Sequence, residues 1–289
     1  RKPHTDETAM KTLSPTLMSA CVLVAAWLAP LHSAQAFDLQ GHRGARGLAP
    51  ENTLPGFARA LAVGVNTLET DIAISRDGVL LISHDSALNP DIARGPDGQW
   101  LATRGPLIFH TSAAELQRYD VGRLKPGTRY AGQFPEQQPV DGARLPTLDA
   151  LFALVKRAGN PQLRLALETK LSPLAPDDTA APEPFARALI AAIRDAGMAS
   201  RSSILSFDWR TLAVVQREAP EINTVYISAR QRWLDNIGRG PASPWTAGIA
   251  LQDQGSVPKM VHAAGGKTWS SFYGDLDAAQ VKEAQALGI

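Results

Sequence analysis

The sequence predicts an α/β protein, a TIM (β/α)8 barrel, and three observations carry that expectation. Short apolar strands alternate with longer helical patterns along most of the 289 residues, a rhythm that gives a mainly parallel sheet wrapped by helices. The stretch showing this rhythm runs to about 250 residues, the usual size of one such barrel. No G-x-G-x-x-G follows a strand, which disfavours a doubly wound dinucleotide-binding sheet.

Residues 1–36 stand apart and read as upstream residues and a signal peptide. Met10-Lys11 opens a short basic region, an apolar run follows from Leu17 to Leu31, and Ala34-Gln35-Ala36 supplies a small-x-small cleavage site. The run is too short to span a bilayer comfortably, since spanning takes roughly 20 residues. A retained membrane anchor is the alternative. Cys21 lies inside the apolar run, not at its end, so it is not read as a lipid-modified cysteine. The expectation is an exported protein, periplasmic or secreted, that matures at Phe37 and keeps no membrane span.

Each element of the mature chain has its own signal. Asp38–His42 reads as the first strand, and Thr53–Val63 as a helix with Leu54, Phe57, Ala58 and Leu61 at helical spacing. Thr67–Ile74 alternates as a strand, and Val79–Ser83 follows an Asp77-Gly78 turn. Leu163–Glu168 is a strand, Pro184–Ala196 a helix ended by Gly197, and Ser203–Phe207 a strand leading to a helix capped near Asp208. Asn223–Ser228 and Thr246–Leu251 read as strands. Val257–Ala264, Thr268–Phe272 and Ala278–Leu287 complete a helix, strand, helix series.

Residues 86–145 break the rhythm. They are rich in glycine, hold six prolines and five aromatics (Trp100, Phe109, Tyr119, Tyr130, Phe134), and show one short helix signal at Ser112-x-x-Glu115. A stretch of this kind inside a barrel is usually functional, and it is expected to cover the barrel mouth. The Pro-rich segment 173–184 reads as a plain strand-to-helix connection.

Composition removes several functions. Of 29 Lys+Arg and 28 Asp+Glu, losing Arg1, Lys2, Lys11, Asp6 and Glu7 with the leader leaves 26 of each. A neutral chain without basic runs gives no footprint for nucleic acid. Cys21 is the one cysteine, so the mature chain has neither disulfides nor thiol chemistry.

The chemistry concentrates at strand ends, the active face of a barrel. Of the four mature histidines, His42 follows the first strand in Gly41-His42-Arg43-Gly44, and His84 follows the hairpin in Ser83-His84-Asp85. Such a pair suits acid–base work near neutral pH. Glu69 and Asp71, two apart on a strand, share one face, while Leu68 and Ile72 take the other. Glu168 ends a later strand, with Lys170 two residues on. Three carboxylates facing one point suit a single hard divalent cation, Ca²⁺ or Mg²⁺; the alternative is an internal ion-pair network with Arg43 and Lys170. Zinc is disfavoured, because no histidines have ligand spacing. A cation, Arg43, Lys170 and two histidines describe a metal-dependent phosphoester hydrolase, with one histidine activating the attacking oxygen and the other protonating the leaving alkoxide.

The series His42-Arg43-Gly44, Pro50-Glu51-Asn52-Thr53, Leu68-Glu69-Thr70-Asp71, Asp77-Gly78, Ser83-His84-Asp85 and Leu167-Glu168-Thr169-Lys170, continued by Leu205-Ser206-Phe207-Asp208, resembles the glycerophosphodiester phosphodiesterase family of exported bacterial type. The resemblance implies a TIM barrel with an inserted segment after the second strand, here 86–145, acting as a covering subdomain. It implies hydrolysis of small-molecule glycerophosphodiesters to an alcohol and sn-glycerol 3-phosphate. By motif position Glu69, Asp71 and Glu168 are the implied metal ligands and His42 and His84 the acid–base pair. Arg43 and Lys170 are the implied phosphate-binding residues, and Glu51 a site-facing residue assisting the metal or the glycerol hydroxyls. The family's closing Trp-Thr-Val-Asn strand and the strand after it do not precede Ile289. The expectation is therefore a truncated barrel over 37–289, lacking its C-terminal strands and poorly soluble or inactive alone. Trp269 is expected to line the site or the core. Two further readings remain open: a phospholipase D-type barrel acting on intact lipids, and a non-catalytic glycerol-phosphate binder. Oligomeric state is not indicated.

Overall fold

The computed structural model describes residues 38–238 and 240–289; the leader expected over 1–36 lies outside the described residues. Seven strands form one sheet: β1 (Gln40–Gly41), β2 (Thr67–Ile74), β3 (Leu80–Ile82), β4 (Arg164–Thr169), β5 (Ser202–Ser206), β6 (Asn223–Ser228) and β7 (Trp269–Ser271). The order is β1-β2-β4-β5-β6-β7, every neighbouring pair parallel, and β3 pairs antiparallel with β2. This is the helix-wrapped parallel architecture of a (β/α)8 barrel. Six parallel strands lie among the described residues, with β1 and β7 as unjoined margins.

Helices α1 (Leu54–Val63), α2 (Ala113–Leu116), α3 (Leu148–Arg157), α4 (Pro182–Asp195), α5 (Trp209–Glu218), α6 (Leu251–Gln254), α7 (Val257–Ala263) and α8 (Ala278–Ala286) fill the connections. Their starts follow capping chemistry: Thr53 accepts from the Gly56 amide, Asp208 from Arg210, and Asp277 forms a capping box with Gln280. Period-2 alternation sorts the strand residues. Leu68, Ile72, Leu165, Leu167 and Ile204 enter the main core with Phe57, Leu151, Phe185, Leu189, Leu212 and Met260 from the helices. The opposite face carries Ala166, Leu205 and Val225 as a small apolar cluster, and above it the carboxylates. The register sets Asp71 opposite Glu168 and Glu69 opposite Ala166.

Two sequence expectations need correction. Thr246–Leu251 is not a strand. Ala247 (φ 53°) and Gly248 (φ 88°) are left-handed, and Thr246 Oγ1 donates within 3.1 Å of the Ser243 and Ile249 carbonyls. Those bonds close the backbone into a turn before α6. The second is an omission, because no element was expected where α3 lies. Thr147 caps it, and Leu148, Leu151, Phe152 and Val155 bury one stripe; the irregular passage before it obscured this period.

Residues 86–145 are packed, not slack. Leu88, Ala93, Ile108, Leu116, Val121 and Leu145 form a separate apolar cluster with Ala73 and Leu81 of the hairpin. Among the described residues no helix is long and apolar enough to cross a membrane.

Candidate active site

The loop after β1 is shaped by backbone that ordinary residues avoid. Arg43 (φ 53°) and Gly44 (φ 81°) are both left-handed. A Cβ on Gly44 would lie 2.8 Å from the Gly56 carbonyl carbon, so glycine is required there by space and conformation together. This turn aims the Arg43 amide at Glu69 Oε2, 2.8 Å away, and its carbonyl accepts from the Asn52 amide at 3.0 Å. Asn52, also left-handed at φ 53°, donates through Nδ2 to Asp71 Oδ2 at 2.8 Å and accepts from Thr70 Oγ1 at 2.9 Å. A non-glycine residue held in this region costs of order 1–3 kcal/mol, which the buried bonds to Asp71 and Thr70 offset.

Glu69, Asp71 and Glu168 meet as expected. They are 7%, 1% and 7% exposed, and each offers an oxygen within 4.8 Å of the others. Lys170 Nζ is 2.8 Å from Glu168 Oε1 and 3.7 Å from Asp71 Oδ1. Arg43 places Nη1 at 2.9 Å from Glu51 Oε1 and Nε at 3.4 Å from Asp71 Oδ2. The ion pairs of the alternative reading are therefore present, but they do not balance. Four carboxylates (Glu51, Glu69, Asp71, Glu168) face two cations (Arg43, Lys170). Burial, reinforced by Asp71 and Glu168, pushes the Glu69 carboxyl well above its ordinary range. Burial also opposes the charge on Asp71, but Lys170, His84 and Arg43 hold it below the usual carboxylate range. Arg43 and Lys170 stay charged despite burial because Asp71, Glu51 and Glu168 outweigh desolvation. The donor set is all oxygen, and its carboxylates outnumber the cations Arg43 and Lys170 that face them, which fits one divalent cation.

The histidines flank this cluster. His42 Nε2 is 3.8 Å from Glu69 Oε2, with half of the side chain exposed. Loss of hydration, with Arg46 and Arg43 close by, lowers its pKa to about 4. His84 Nδ1 lies 2.7 Å from Asp85 Oδ1, and Asp85 Oδ2 accepts from Asn89 at 2.8 Å. Burial opposes the charge on Asp85, but its bond to His84 holds the carboxyl below its usual range. An ionised carboxylate can only accept, so Nδ1 of His84 carries a proton, and Nε2 has no protein partner among the described residues.

Glu51 is buried (5% exposed) but stands outside the three-carboxylate cluster, bonded instead to Arg43 and to the Tyr130 hydroxyl. Tyr130 belongs to the covering segment, and Arg43 Nη1 approaches the same hydroxyl at 3.5 Å. Phe134 braces Tyr130 edge-on at 5.3 Å and lies under the Arg46 guanidinium at 5.0 Å. Trp269 donates to Ser228 Oγ from β7 and packs against the core. Sequence reasoning assigned no role to Asn52, Asp85, Asn89 or Tyr130. Asn52 and Asp85 lay inside recognised strings; nothing local marked Tyr130.

Residues 42–288 match the model of the Glycerophosphoryl diester phosphodiesterase family. The chain is similar to a crystal structure from Silicibacter pomeroyi DSS-3 assigned as a glycerophosphoryl diester phosphodiesterase. They share 34% identity and a TM-score of 0.78, over 89% of this chain and 82% of that one. It is 28% identical to a glycerophosphodiester phosphodiesterase of Caldanaerobacter subterraneus over 63% of this chain and 62% of the relative. It is 27% identical to a mouse glycerophosphoinositol inositolphosphodiesterase over 68% of this chain. The chain thus spans 36% and 62% of the lengths of these two curated relatives.

Proposed function

Because the chain belongs to the glycerophosphoryl diester phosphodiesterase family, we propose that it hydrolyses glycerophosphodiesters to an alcohol and sn-glycerol 3-phosphate. The observation that carries this reading is the buried cluster of three carboxylates, in excess of the cations that face it. Glu69, Asp71 and Glu168 would hold the cation, Ca²⁺ or Mg²⁺, which when bound supplies Lewis-acid charge against phosphate oxygens. Arg43 and Lys170 bind the same phosphate, guanidinium in a fork and ammonium as a point charge, with Glu51 and Tyr130 holding Arg43 in place. His42, kept neutral, takes the proton from the water that attacks phosphorus. His84, protonated on both ring nitrogens and held by Asp85 through Nδ1, gives its Nε2 proton to the bridging oxygen as the phosphorus–oxygen bond breaks. The leader expected over 1–36 supports export to the periplasm or beyond as part of this reading.

The test is release of glycerol 3-phosphate from a glycerophosphodiester with and without chelator. EDTA is expected to abolish release, and Ca²⁺ or Mg²⁺ to restore it. Because the cation binds only the folded site, it should also raise the melting temperature, about 2.7 kcal/mol of stabilisation at a hundredfold excess over Kd. Release that survives EDTA, with no metal-dependent melting shift, would reject the reading. Tyr130→Phe removes one hydrogen bond to a charged group, worth about 1.5–3 kcal/mol. Its expected result is a KM raised about tenfold with kcat less affected; an unchanged KM would show that Tyr130 does not hold the phosphate arm.

A further inference from the structure

A cavity of about 480 Å³ opens from His84, Asp85 and Lys170 and runs between the start of the covering segment and the loop after β4. It lies on the His84 side, where the departing alcohol would leave phosphorus in the hydrolase reading above, on which this inference rests. Its volume is within the usual range for small-molecule sites. Its walls tell what kind of group fits.

A quaternary ammonium is recognised by aromatic faces or by unpaired carboxylates, and this cavity offers neither. Among the described residues no Phe, Tyr or Trp lines it. Its two carboxylates are already used: Asp85 accepts from His84 and Asn89, and Asp178 accepts from Arg104 Nη2 at 2.7 Å. Its two cations, Lys170 and Arg104, are paired in turn with Glu168 and Asp178, so the walls carry no excess negative charge to draw in a cationic head group. What the walls do offer is hydrogen bonding. Arg104 Nη2 also donates to Ser86 Oγ at 3.0 Å, while its Nε and Nη1 have no protein partner among the described residues. The hydroxyls of Ser172 and Thr179 line the same space. The Arg104 and Asp178 side chains are 59% and 25% exposed, and an exposed pair of this kind is worth little. Arg104 can therefore exchange Asp178 for a substrate hydroxyl at small cost.

We infer that this cavity selects glycerophosphodiesters whose head group is an uncharged polyol over those bearing a quaternary ammonium, and that Arg104 sets the choice. With the metal-loaded protein, kcat/KM is compared for glycerophosphoglycerol, glycerophosphoinositol and glycerophosphocholine. The polyol diesters are expected to lead by about tenfold, the loss of one good polar contact. In Arg104→Ala, and in Arg104→Gln, which keeps most of the bulk, the ratio is expected to collapse, chiefly through a higher KM for the polyol diesters. A choline diester turned over as well or better, or a ratio unmoved in both variants, overturns the inference while leaving the hydrolase reading intact. If no diester is turned over, the hydrolase reading falls. Calorimetric titration of the same three diesters then reads head-group preference alone, and equal affinities overturn the inference.

Discussion

His84→Ala is expected to lower kcat by 10²–10⁴-fold, the usual worth of a positioned general acid or base, while cation binding and the melting temperature stay close to wild type. The reason is in the geometry. Asp85, itself held by Asn89, fixes the ring through Nδ1 and leaves Nε2 without a protein partner among the described residues, while Lys170 on the same side is tied to Glu168 and Asp71. The ring is one-third exposed, so alanine opens little core. Steady-state kinetics beside calorimetric Ca²⁺ titration make the check. A variant keeping more than about a tenth of wild-type kcat would remove His84 from proton transfer. His42→Ala is the companion experiment, and lost turnover with ligand affinity spared separates a hydrolase from a glycerol-phosphate binder.

Asp71→Ala should give the largest loss of stability. Asp71 is 1% exposed, sits between Arg43 and Lys170, and accepts the Asn52 amide. Removing one member of a buried ion network typically costs about 3–5 kcal/mol; here Arg43 keeps Glu51 and Lys170 keeps Glu168, and Glu69 is relieved of a repelling neighbour, so the loss is expected at the lower end. Against a total of about 5–15 kcal/mol for a domain, that is severe. Denaturant unfolding in EDTA measures it free of metal binding, and a loss below about 1 kcal/mol would mean that Arg43 and Lys170 find other partners. The pH dependence has a definite sign. The folded pKa of Asp71 is below its unfolded value, so its contribution is complete above about pH 4 and disappears as pH falls further. The variant should therefore lie furthest from wild type at neutral pH, and the two should converge in acid.

Much of this site was legible before any coordinates. Glu69 and Asp71 had to share a face because strand side chains alternate, and Leu68 and Ile72, packed into the core, show the same rule from the other side. Asp208 and Gly197 marked helix ends through capping chemistry that acts within three or four residues. The errors came where local signals were overruled. Apolar residues at 246–251 read as a strand, but the left-handed Ala247 and Gly248 and the Thr246 hydroxyl made a turn. Helix α3 hid behind an irregular segment even though its apolar stripe was present.

The sequence by itself determined which strand residues alternate, where the clearly capped helices begin or end, and which acid, base and cationic groups come to the strand ends. Those are consequences of backbone periodicity and of contacts a few residues long. Only the tertiary structure decided that the clustered carboxylates outnumber the cations facing them, that Asn52 ties the loop to Asp71, and that Glu51 belongs to the Arg43 arm and not to the carboxylate cluster. It alone brought Tyr130 to Glu51 across 79 residues of chain. Such contacts depend on how the covering segment packs on the hairpin, an outcome of summed burial and loop closure that no short pattern encodes.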